Sequence, residues 1–145
     1  MPTKQTIRRA RRDKREGKSP GTQAGEFVHE EIKRIRKREH GARSAKQAIA
    51  IGLSEARRAG VKLKPPKRGT VSETTRRNAE REYEKGQKHE PVSKTRSRAI
   101  IKALKRESTA SASHSALSRQ ARSAAQKRTA AERSASAKKA ARTKG

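Results

Sequence analysis

The chain has 145 residues, 41 Lys or Arg against 14 Asp or Glu, and a formal charge of +27. Seven Ile, four Leu, four Val and one Phe leave it far below the ~20% of large apolar residues at which a highly charged chain is expected to order, so a conventional single core and a dry catalytic pocket are excluded as expectations. There is no Cys, which removes disulfides, thiolate metal sites and thiol nucleophiles.

Residues 1–19 read as a basic arm. Thr6 is placed to cap a short helix through Ile7, Ala10 and Lys14 that stops at Gly17. With almost no apolar face, this helix is expected to fray.

Residues 20–60 read as a helical hairpin. Ser19-Pro20 starts the first helix, and Ala24, Val28, Ile32 and Ile35, with Phe27 beside them, form one apolar stripe at helical period. Gly41 is expected to end it. Ser44 with Gln47 reads as a capping box for the second helix. Ala45, Ala48, Ile49, Gly52, Leu53 and Ala56 then recur on one face, and Gly60 supplies the stop. Joined by His40-Gly41-Ala42-Arg43, the two make a helical hairpin of helix-turn-helix type.

Residues 61–69 are a basic, Pro-rich linker whose Pro65-Pro66 pair favours extended chain. Residues 70–105 are a second, weaker helical region. Thr70 and Glu73 read as a capping box, Ala79 and Tyr83 give a thin apolar face, and Pro91 breaks the chain. The order Ala99, Ile100, Ala103, Leu104 echoes Ala48, Ile49, Gly52, Leu53, which suggests a duplication. Residues 106–145 are a basic tail rich in Ser, Ala, Arg and Lys, with Leu117 as its one large apolar residue. It is expected to be disordered alone. The fold class is therefore all-α: a small helical hairpin with additional short helices and large intrinsically disordered parts.

The charge favours a polyanion as partner. It is spread as +14 over residues 1–70, +5 over 71–105 and +8 over 106–145, so the whole chain can follow a phosphate backbone. No apolar run reaches the ~18 residues of a membrane span, and no secretory signal opens the chain. Membrane is not an expected partner, and the chain is expected to stay in the cytoplasm. The four His residues lack metal-ligand spacing, and Gly17-Lys18-Ser19 lacks the upstream half of a phosphate loop. No enzyme activity, metal or cofactor is expected.

Each Lys or Arg that neutralises a phosphate releases counterions, so flexible basic arms bind without a shaped site. The residues expected to contact DNA phosphates are Arg8, Arg9, Arg11 and Arg12 on the arm, Arg57 and Arg58 at the hairpin's end, Lys62, Lys64, Lys67 and Arg68 on the linker, and Lys138, Lys139 and Arg142 on the tail. Arg43, Lys46 and Gln47 open the hairpin's second helix, where a major-groove reader would place its base contacts. The bland alternative, favoured on the small size of the hairpin, is that this basic face meets phosphates. Pro66-Lys67-Arg68-Gly69-Thr70 is a truncated minor-groove motif, with Thr70 where a second Arg is needed. Two aromatics, Phe27 and Tyr83, supply little base stacking for a single-strand binder.

Through KQAIAIGLSEARRAGVKL (46–63), with TQAGEFVHEEI (22–32) before it, the chain resembles a family of small basic bacterial proteins described as uncharacterised, DNA-binding or plasmid-stabilisation proteins. The resemblance extends to ALSRQARSAAQKR (116–128) and KKAARTKG (138–145). The tail is also similar to the Lys/Ala-rich ends of bacterial linker-histone-like proteins, departing from their Lys-Ala-Ala-Ala repeat by its Arg and Ser. The resemblance implies a DNA-associated role in the bacterial nucleoid and no catalytic residue. The expectation is a largely non-specific DNA-binding protein that coats, compacts or maintains chromosomal or plasmid DNA, with self-association through the hairpin. The alternatives are an RNA- or ribosome-associated protein and an adaptor whose hairpin docks a partner protein.

Overall fold

The computed structural model describes residues 2–144. Among them it is all-α: α1 (Lys4–Arg15), α2 (Pro20–Arg36), α3 (Ala45–Arg58), α4 (Glu73–Gln87), α5 (Lys94–Leu104), α6 (His114–Gln126) and α7 (Ala130–Lys144), with a 3-10 turn over Ala110–Ala112 before α6.

Side-chain caps explain most of the helix starts. Thr3, Ser19, Ser44, Ser72, Ser93 and Ser113 each accept a hydrogen bond from the backbone N–H three residues on, satisfying a donor that the first turn leaves unpaired. Two of these correct the sequence reading. Thr3, not Thr6, caps α1. Ser72, not Thr70, caps α4, while Thr70 closes a tight turn by donating its hydroxyl to the Lys67 carbonyl at 2.6 Å. The end of α2 also differs: the helix stops at Arg36, Arg38 takes φ of 61°, and Gly41 instead donates its N–H to the Leu104 carbonyl at 2.9 Å.

The α2–α3 hairpin is the centre of the molecule, with α1 against α2 and α4 against α3. One apolar cluster joins Ala10, Ala24, Phe27, Ala56 and Val61, flanked by Ile7, Leu53 and Leu63. A second joins Ile32, Ile35, Ala42, Ala48 and Ala112, flanked by Val28 and Leu117. Thus α1 does not fray: Ile7 and Ala10 dock it against the hairpin. The linker is likewise anchored through Val61 and Leu63.

Close helix approach stands in for bulk. A Cβ on Gly52 would lie 2.6 Å from the Val28 Cα and 2.9 Å from its backbone N. Replacing Gly52 by Ala is therefore expected to lower stability. The helix-propensity gain of about 1 kcal/mol is outweighed by an overpacking cost of about 1–3 kcal/mol against backbone that cannot step aside. Thermal melting of Gly52→Ala checks the sign. Gly86 lies inside α4 and is buried against the Arg57 carbonyl, which any Cβ there would strike.

The expectation of large disordered parts is corrected most clearly in the tail. Leu117 of α6 reaches the second cluster, and Arg36 Nε donates to the Ala112 carbonyl at 2.8 Å, tying the 3-10 turn to α2. A reciprocal capping box starts α7: the Thr129 N–H donates to the Glu132 carboxylate and the Glu132 N–H to the Thr129 hydroxyl, both at 3.1 Å. From there α7 runs with residues 130–142 exposed. The apparent duplication has no packing counterpart. Ala99, Ile100 and Ala103 are exposed where Ala48 and Gly52 are buried.

Candidate nucleic-acid interface

Three of the fourteen acids are buried, and seven stay exposed: Glu16, Glu39, Glu73, Glu84, Glu90, Glu107 and Glu132. Asp13, Glu30 and Glu31 are buried at 2%, 8% and 1% exposure, whereas Arg57 and Arg76 are the two buried cations among the described residues. Asp13 is held by Lys18 at 3.2 Å. Arg34 reaches Glu30 at 3.0 Å, Glu31 at 3.3 Å and Glu55 at 4.0 Å. Arg76 binds both Glu73 and Glu80, and Arg58 meets Glu82 at 3.3 Å. Pairing leaves the net charge at +27, and the outward field is positive because exposed bases far outnumber exposed acids.

The exposed bases form several tracks. On α1, Lys4, Arg8, Arg11 and Arg15 follow one another at spacings of four, three and four, and all four border one shallow pocket. On the other flank of α1, a furrow of about 670 Å³ against α2 brings Arg9, His29, Lys33, Lys37 and Lys105 together with Glu26, Glu30 and Glu39. Arg12 lies 4.0 Å from Glu16 on the outer surface. At the opposite end of the hairpin, a hollow of about 490 Å³ gathers Arg43 and Lys46 from the start of α3 with Arg119 of α6. Lys62 and Lys64 stay exposed along the linker, and Lys67 and Arg68 stand at an exposed turn where Gly69 takes φ of 86°. Lys138, Lys139 and Arg142 lie on the exposed α7.

Three of the expected contacts have structural work instead. Arg57 is buried, donating from Nε and Nη2 to the carbonyls of Leu63 and Lys64 at 3.2 and 3.3 Å. Burial also pulls its guanidinium below its ordinary pKa. It pins the linker. Arg58 is 13% exposed, pairs with Glu82 and donates to the Pro91 carbonyl at 3.1 Å. Gln47 accepts from the Arg43 N–H at 2.6 Å and closes the turn into α3, which takes its carbonyl oxygen away from base reading. Residues not singled out from the sequence also contribute: Lys4, Arg15, Lys33, Lys37, Lys105 and Arg119. The four-residue spacing of Lys33 and Lys37 was available as a signal. The approach of Arg119 to Arg43 depends on how α6 folds back.

At the edge of the furrow, buried His40 and Glu31 meet half-buried Glu55. His40 Nδ1 donates to the Gly41 carbonyl at 2.9 Å, and its Nε2 lies 2.9 Å from Glu31 Oε2, although that contact lacks hydrogen-bond alignment. Burial raises the Glu55 carboxyl to about 8, helped by its hydrogen bond and repulsion with Glu31 and opposed by Arg34. A carboxyl raised on folding binds more protons in the folded state than in the unfolded one, so stability falls as pH rises from the ordinary carboxylate range through about 8. Glu55→Gln is expected to flatten that decline. Melting temperatures at pH 5, 7 and 9 check it, and an unchanged slope in the variant would contradict it.

Among the described residues, no group of three or more His, Cys, Asp or Glu is arranged to hold a metal ion. Nor is any described helix long and apolar enough to cross a membrane. Residues 15–68 match a family of unknown function (DUF6496), a span that takes in the whole α2–α3 hairpin and the anchored linker. No curated protein and no solved structure matches the chain.

Proposed function

We propose that this chain is a nucleoid-associated, largely sequence-nonspecific DNA-binding protein that coats, compacts or helps maintain chromosomal or plasmid DNA through phosphate contacts. The observation that carries this reading is the excess of exposed bases over exposed acids on several faces, with tracks of exposed Lys and Arg on α1, α2, the linker turn and α7. Such a surface matches the phosphate backbone, whose neutralisation releases condensed counterions and supplies affinity without base contacts.

The separate directions of these tracks favour coating over one docked site. Contacts on several faces let one molecule engage more than one duplex segment, so compaction does not require self-association. Gln47 is occupied by the turn into α3, and Arg43 and Lys46 share their hollow with Arg119, which supports phosphate contact over base reading at that end.

Competition binding tests the proposal. Duplexes of unrelated sequence are expected to compete within a few-fold of one another, as backbone binding requires. A structured RNA that displaced duplex DNA at much lower concentration would replace this reading with an RNA-associated one. A single duplex preferred 10³-fold or more would replace it with a site-specific one.

A further inference from the structure

α5 is attached to the body mainly near its ends. At one end, Arg58 Nη2 donates to the Pro91 carbonyl at 3.1 Å. At the other, Leu104 is buried and its carbonyl accepts the Gly41 N–H. Between these points α5 packs closely along no other described helix. A groove of about 550 Å³ lies between it and α3.

Six large apolar residues line that groove: Ile7, Ile51, Val92, Ile100, Ile101 and Leu104. The whole chain has sixteen Ile, Leu, Val and Phe, so more than a third of them border one open surface. Ile100 is 48% exposed and Val92 40%. Apolar surface gathered in this way behind a polar rim marks a face that another molecule covers.

The charges around the groove define what covers it. Its carboxyls are all engaged within the fold. Glu31 is 1% exposed and lies 2.9 Å from His40 Nε2 and 3.3 Å from Arg34 Nη1. Glu55 shares a hydrogen bond with Glu31, and burial raises its carboxyl to about 8, which leaves it mostly uncharged at neutral pH. Glu82 is held by Arg58 at 3.3 Å. Lys85 and Arg96 also line the groove, and neither side chain has a partner among the described residues. α5 itself carries no acid, and Lys94, Arg98 and Lys102 follow one another at spacings of four, all exposed. The uncompensated charge at the rim is therefore positive.

A second copy of this chain fits badly, because it brings a like charge of +27. The chain's own exposed helix, α7, has no Ile, Leu, Val or Phe to place in the groove. No sheet edge is offered among the described residues, so an extended peptide could not add as a strand. The shape that suits a gap between helices is another helix, whose side chains interdigitate with those of α3 and α5. We propose that the α3–α5 groove docks an amphipathic helix of a partner protein, its apolar stripe seated on Ile51, Ile100 and Ile101 and its acidic flanks facing Lys85 and Arg96. α5 has 11 residues, about three turns, so a partner helix of about three to four turns spans it. This docking surface is independent of the DNA reading, and either can fail alone.

Fluorescence anisotropy of labelled peptides with the full chain at 0.15 M salt tests this. The probe is a helical peptide of about four turns with Leu at i, i+3, i+4 and i+7 and with Glu and Ala between. Its control has the same composition with the Leu residues scattered, and octanoate serves as a competitor. The patterned peptide is expected to bind saturably and about 10- to 100-fold tighter than the scattered one, the factor that burial of one Leu side chain supplies. Ile100→Ser, at the exposed rim, should remove most of that preference while leaving the scattered peptide unaffected. Lys85→Glu with Arg96→Glu should weaken the patterned peptide by about 10-fold. Lys138→Glu with Arg142→Glu, the same change of charge on α7, should weaken it by less than about 2-fold, because charges beyond about 8 Å are screened at this salt. Equal binding of the two peptides, an undiminished preference in Ile100→Ser, or equal losses from the two charge reversals would each overturn the proposal. Displacement of the peptide by octanoate at comparable concentration would overturn it in favour of a small amphiphile. A dimer of the chain that Ile100→Ser dissolves would overturn it in favour of a second copy.

Discussion

Deleting residues 130–145 is expected to weaken DNA binding by about 10²- to 10³-fold at 0.1 M salt, because each lost phosphate contact removes about 0.9 from the slope of log K against log salt. α7 presents Arg133, Lys138, Lys139 and Arg142 on an exposed helix. If these four side chains lie on phosphates, the slope becomes shallower by about 3–4. The same deletion is expected to leave the melting temperature nearly unchanged. No core residue lies in α7, and the hydrogen bonds across the junction from Arg133, to the Ala125 and Arg128 carbonyls, are all exposed. The intact chain should itself lose about 10³–10⁵ in affinity between 50 and 200 mM salt if it makes 6–10 phosphate contacts. A truncated chain with an unaltered salt slope would show that α7 is not on the DNA and would confine the interface to the hairpin and arm.

The hairpin was legible in the sequence because its signals are local. Ser19-Pro20, Ser44 and the recurrence of Ala24, Phe27, Ile32 and Ile35 opposite Ala48, Gly52 and Ala56 set both helices and the face they share. The extent of order was not legible from a count of large apolar residues. That count assumes a core built from bulk, whereas this one is built from close approach: Ala10, Ala24, Ala48 and Ala56 are nearly or fully inaccessible, and Gly52 lets α3 rest on the Val28 backbone. Small side chains give up little rotamer entropy on burial, so less apolar area is needed to offset the cost of ordering them. Order in the tail turned on a pairing two elements long. The Thr129–Glu132 capping box is local and could have been found, but the docking of the 3-10 turn by Arg36 joins residues 76 positions apart. The interface was legible as composition and not as arrangement. Arg57 and Arg58 look like any basic pair at a helix end until the Leu63, Lys64 and Pro91 carbonyls are seen to take their donors.

Replacing Phe27 by Ala is expected to be the most damaging single change to the fold. Phe27 is 1% exposed and is the largest side chain in the cluster that joins α1, α2, α3 and the linker. Truncating a buried Phe costs about 3–5 kcal/mol, and a small domain has only about 5–15 kcal/mol in total. Three of its neighbours, Ala10, Ala24 and Ala56, are too short to relax into the void, which leaves only Ile7, Leu53, Val61 and Leu63 to fill it. Loss of helical circular dichroism at or near room temperature measures it. The binding consequence separates charge from shape. An unfolded polycation still releases counterions, so Phe27→Ala should keep low-salt DNA binding. Unfolding also frees Asp13, Glu30 and Glu31 from their buried positions and returns them to the same solvent as the bases. The repulsion they add should make the salt slope shallower and reduce affinity at physiological salt well below that of the folded chain. Identical salt profiles for the folded and unfolded proteins would mean that burying these three acids adds nothing to DNA binding.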